Sequence, residues 1–162
     1  TQLQSSAASD VYKRQVIVRE REEEAYAYAE SIISKLDLEA GKELRDRALD
    51  ANSYGVSRQR EMRDKSSSDG YVEPNLWTGI GKARSGCGAA LVGNPDQIIE
   101  KLHRYMDMGI RSFIFSGYPN IDECYRFADL VLPRLKTFSM PEEQGKVNKN
   151  LPQTPLARGI RV

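Results

Sequence analysis

Apolar positions recur along this chain in short, separated bursts, and their spacing predicts most of its elements. Val16, Ile17 and Val18 are consecutive β-branched residues, as at the end of a buried strand. Arg19 and the acidic run Glu20, Glu22, Glu23 and Glu24 then open a helix. Acidic groups suit the positive end of a helix dipole, and Ala25, Ala29, Ile32, Ile33 and Leu36 share one face. A more polar helix is expected over 38–51, a short charged one over 56–65 and a loop over 66–70. Asn94, Pro95 and Gln97 then mark a helix start, with an N-cap, a proline in the first turn and a capping box. Ile98, Ile99, Leu102, Tyr105 and Met106 follow at helical spacing, and Gly109 suits the stop. Phe113, Ile114 and Phe115 predict a strand buried on both faces. A last helix, capped by Asn120 with Glu123 closing the box, is expected to bury Ile121, Cys124, Tyr125, Ala128, Val131, Leu132 and Leu135. Helix, buried strand and helix on short turns define an α/β protein.

Three stretches fall outside this pattern. Residues 1–15 show no period, and 6–15 resemble the translated adapter tails found on some assembled gene models; they are expected to be foreign to the fold. Residues 137–162 hold three prolines and no apolar period, and read as an extended tail. Between Gly79 and Gly88 the chain is too glycine-rich to be regular and carries Lys82 and Arg84. Glycine lets such a loop approach a ligand closely, and the planar fork of Arg84 matches a sulfonate or phosphate better than a lysine does. A solvated surface loop with incidental charges fits the same residues equally well.

Composition narrows the function classes. Of 162 residues 29% are charged, yet the net charge is only +1, which argues against nucleic-acid binding. No apolar run reaches the length of a membrane span. Cys87 and Cys124 have no CxxC partner and there is one histidine, so no metal site is expected, and free thiols fit the cytoplasm. His103 reads as a solvated surface histidine and the glutamate run as a solvated helix face. Trp77 suits either a cover for a ligand or an anchor for a loop.

Asn75-Leu76-Trp77, Gly79-Ile80-Gly81, Arg84-Ser85-Gly86, Ala90 to Gly93 and Phe115-Ser116-Gly117-Tyr118-Pro119 together resemble the FMNH2-dependent alkanesulfonate monooxygenases of the bacterial-luciferase-like superfamily. The resemblance runs from about Val16 to about Leu135. It implies the C-terminal part of a (β/α)8 TIM barrel over 16–136, with 16–18 in the penultimate strand and 111–116 in the last. Residues 89–92 are then not a barrel strand, and 20–93 form one long helical insertion and lid leaving the carboxyl end of a strand, where such barrels place their sites. The implied catalytic residues are Arg84 on the lid and Tyr118 past the last strand, with Ser116 and Gly117 beside the cofactor. The implied chemistry uses FMNH2, supplied by an NAD(P)H-dependent FMN reductase, and O2 to cleave the C–S bond of an alkanesulfonate, in a homo-oligomer at full length. The family's Arg-x-His before the strand is replaced by Lys13 and Gln15, and the first six strands lie outside this sequence, so the 162 residues alone are expected to be inactive. A luciferase-like monooxygenase of another small molecule, such as a sulfone, and a non-catalytic anion-binding α/β module stay open.

Overall fold

The computed structural model describes residues 11–47, 54–82, 88–110 and 112–137. Five strands form one sheet: β1 (Val11–Val18), β2 (Tyr71–Glu73), β3 (Leu76–Trp77), β4 (Ala90–Gly93) and β5 (Ser112–Ser116), in the order β2-β3-β4-β1-β5. β1 runs parallel to both β4 and β5, while β3 is antiparallel to β4 and to β2. The helices are α1 (Glu22–Ile33), α2 (Leu38–Asp46), α3 (Tyr54–Asp64), α4 (Pro95–Asp107) and α5 (Asn120–Leu130). The chain is therefore a mixed α/β unit. No described helix is long and apolar enough to cross a membrane.

Successive residues of a strand face opposite sides, and both sides of the central pair are covered. Val16, Val18 and Leu91 pack with Ile98, Ile99, Leu102 and Tyr105 of α4 and with Val131 after α5. On the other side Ile17, Ala90 and Val92 pack with Ala25 and Ala29 of α1, and with Trp77 and Ile80. The start of α4 forms as its sequence predicts. Asn94 accepts from the Gln97 amide at 3.0 Å and the Gln97 side chain accepts from the Asn94 amide at 2.9 Å, while Gly109 ends the run at φ +96°.

Four expectations need correction. First, β1 begins at Val11, so residues 11–15 belong to the fold: Val11 to Gln15 pair with Ser112 to Ser116, and the Tyr12 ring lies 4.4 Å from that of Tyr105. Second, residues 90–93 are a buried strand in the sheet and not part of an insertion. Its small side chains suffice because the Trp77 ring, Ile80 and α1 fill that face. Asn75, at φ 64°, makes the turn between β2 and β3.

Third, Ile114 is exposed, because β5 is an edge strand and its second face has no helix over it among the described residues. Fourth, α5 is turned away from its expected stripe. Ile121, Cys124, Tyr125 and Leu132 are exposed; Glu123 and Val131 are buried, with Phe127 and Leu130 packed against the core. Pro119 sits at the N-cap position with no side-chain cap bond, and Asn120 is already helical.

Candidate functional site

In a parallel sheet each following helix starts at the carboxyl end of its strand. β1, β4 and β5 end at Val18, Gly93 and Ser116, and α1, α4 and α5 begin just beyond, turning their partly positive amino-terminal ends to one rim. Arg19 is the first residue past β1, and its amide donates to the Gly93 carbonyl at 3.3 Å.

The Arg19 side chain is turned inward. Its two terminal nitrogens donate to the two carboxylate oxygens of Glu123 at 3.0 and 2.7 Å, and Nη1 also donates to the Val18 carbonyl at 2.7 Å. The side chains are only 10% and 3% exposed. The guanidinium carbon lies 3.9 Å from the centroid of the Tyr28 ring on α1, a cation–π contact. The Tyr28 hydroxyl donates to the backbone carbonyl of Tyr118 at 3.0 Å. A fork of fixed donors meeting a carboxylate head-on is the arrangement in which two buried charges hold a defined orientation.

Of the residues expected at a site, Ser116, Gly117 and Tyr118 fall together at this rim. Ser116 is exposed at the end of β5, and the Tyr118 side chain is 64% exposed. Gly117 has a close neighbour that the sequence does not announce: a Cβ there would overlap the Cβ of Glu123. Arg84 and Cys87 lie outside the described residues. Their loop leads through Gly88 and Ala89 into the amino-terminal end of β4, where the Gln15 amide donates to the Ala89 carbonyl at 3.2 Å. Trp77 is an anchor: it is buried, and its indole N–H donates to the Asp69 carbonyl at 3.1 Å. His103 is exposed.

Arg19, Glu123 and Tyr28 escape sequence reasoning. Arg19 reads as one charge in a charged run and Glu123 as half of a capping box, and 104 positions separate them. The one available signal is an arginine placed directly after a β-branched triplet that must be buried.

The fold and its rim describe an α/β unit with polar groups gathered at the carboxyl ends of parallel strands, where α/β proteins bind their ligands. No family model matches the chain. It is similar to a sulfoquinovose monooxygenase of Agrobacterium fabrum, 53% identical over 146 residues that cover 90% of this chain and 38% of that protein. A sulfoquinovose monooxygenase of Novosphingobium aromaticivorans is 56% identical over 124 residues, covering 76% of this chain and 34% of its own length. The chain thus spans little more than a third of the curated relatives it matches.

Proposed function

We propose that this chain is the C-terminal portion of a two-component, flavin-dependent monooxygenase that cleaves the carbon–sulfur bond of a sulfonate. The observation that carries this reading is the 53% identity to a sulfoquinovose monooxygenase across 90% of the chain. Both relatives bear that name, so a sulfonated sugar is favoured over a simple alkanesulfonate as substrate. In the longer polypeptide β1, β4 and β5, which run parallel here, are strands of a (β/α)8 barrel. The enzyme is a cytoplasmic homo-oligomer that receives FMNH2 from an NAD(P)H-dependent FMN reductase.

Reduced FMN supplies the activation of O2 when bound. The described rim does not by itself fit that cofactor. Arg19, its buried cation, is already bound to Glu123, which leaves no second buried cation there for a flavin phosphate among the described residues. This chain's part is to hold the substrate. The Tyr118 phenol donates a hydrogen bond from the end of β5, and Arg84, whose loop enters β4 at its amino-terminal end, is assigned the sulfonate through its planar fork on the resemblance alone.

The test uses the full-length gene product with a flavin reductase, NADH, FMN and O2, and reads sulfite. Sulfoquinovose is expected to release sulfite faster than octanesulfonate. A preference for octanesulfonate would overturn the sugar assignment, and no sulfite from either would overturn the enzyme.

A further inference from the structure

A buried ion pair adds little net stability compared with apolar residues of the same volume, because desolvation offsets the attraction. What such a pair does supply is direction, and here the direction is toward one turn. Glu123 is held by the fork of Arg19 and lies directly under Gly117, while its own amide donates to the Pro119 carbonyl at 3.1 Å. Arg19 in turn stacks on Tyr28, whose hydroxyl holds the Tyr118 carbonyl. The turn at 116–119 is therefore gripped from below by Glu123 and from the side by Tyr28. Its exposed phenol is left as the group that projects from the rim.

We propose that Arg19, Glu123 and Tyr28 are positioning residues that fix the backbone of Tyr118, and through it the direction of the Tyr118 phenol. None of the three touches the substrate; each acts through the turn. The inference rests on the reading of Tyr118 as a substrate-facing donor, and its test separates the two.

The full-length gene product is made as wild type, Tyr28→Phe, Tyr118→Phe and the double variant, with Arg19→Lys as a further probe that keeps charge but loses the fork. Tyr28→Phe keeps the ring under Arg19 and removes a single donor, so the fold survives. Its kcat for sulfite release is expected to fall about fivefold, the size of one ordinary hydrogen bond, with KM little changed. In the Tyr118→Phe background the same change is expected to cost nothing more, because a residue that acts through another loses its effect once that other is gone. Amide hydrogen exchange is expected to rise across 116–123 in Tyr28→Phe and Arg19→Lys, and to stay unchanged across α4. Additive losses in the double variant, or unaltered exchange in the turn, would overturn the proposal. If the wild type releases no sulfite, the enzyme reading fails, and the exchange result alone decides whether the clamp holds the turn.

Discussion

At Glu123 the chain buries a carboxylate in the first turn of a helix, where the bidentate contact with Arg19, a longer ion pair with the half-exposed Arg126 at 3.8 Å and the local helix dipole make the charge tolerable. Removing one partner leaves the other charged and dry. Arg19→Met is expected to lower the unfolding free energy by about 3–5 kcal/mol in urea titrations, and Arg19→Met with Glu123→Leu to recover most of that loss. One buried and two half-buried tyrosines predict a pH dependence. Desolvation raises the phenols of Tyr105 and Tyr71 far above the ordinary value of 10.0, and that of Tyr26 by less. Because the folded-state values are the higher ones, the unfolded chain gives up these protons first. The stability they contribute is complete below about pH 10 and is lost as pH rises from there toward the folded-state values. Tyr105→Phe is expected to flatten that alkaline loss, measured by urea midpoints between pH 9 and pH 11.

Among the elements, α4 was legible and α5 was not, and the difference is local against remote. The ends of α4 are written in adjacent residues: Asn94 and Gln97 bond each other's amides, and Gly109 adopts the φ that other residues resist. Asn94→Ala is expected to cost about 1 kcal/mol of stability, read from thermal or urea unfolding. The face α5 buries is chosen instead by Arg19, so the apolar residues at 121, 124 and 125 are turned outward. β4 was misread for a similar reason. Ala90 to Gly93 has too little bulk to declare itself, and its burial depends on Trp77 and α1 arriving from elsewhere. Gly79 makes the same point in reverse. A Cβ there would overlap the Trp77 ring, so Gly79→Ala is expected to loosen the hairpin and lower the thermal midpoint by several degrees, on the order of 1–3 kcal/mol of overpacking.

For the whole molecule, the notable feature is what stays uncovered. Ile121 and Tyr125, one turn apart on α5, are 70% and 68% exposed, and no strand pairs the outer edge of β5 among the described residues. An exposed apolar helix face beside an unpaired edge favours association. The 162-residue chain is expected to self-associate at micromolar concentration in sedimentation experiments. The pair Ile121→Lys and Tyr125→Lys is expected to reduce this without lowering the thermal midpoint, because neither side chain is packed in the core.

The sequence by itself determined where α4 starts and stops, that Val16 to Val18 form a buried strand end, and that the chain is α/β, because caps, dipoles and apolar periods act within one or two turns. Its resemblance also drew attention to the turn at Ser116 to Tyr118. Only the tertiary structure decided that residues 11–15 extend β1, that β4 lies inside the sheet, and that Arg19 reaches Glu123 and Tyr28. Those facts depend on pairings between distant segments, in which the identity of one residue carries no local trace of its partner.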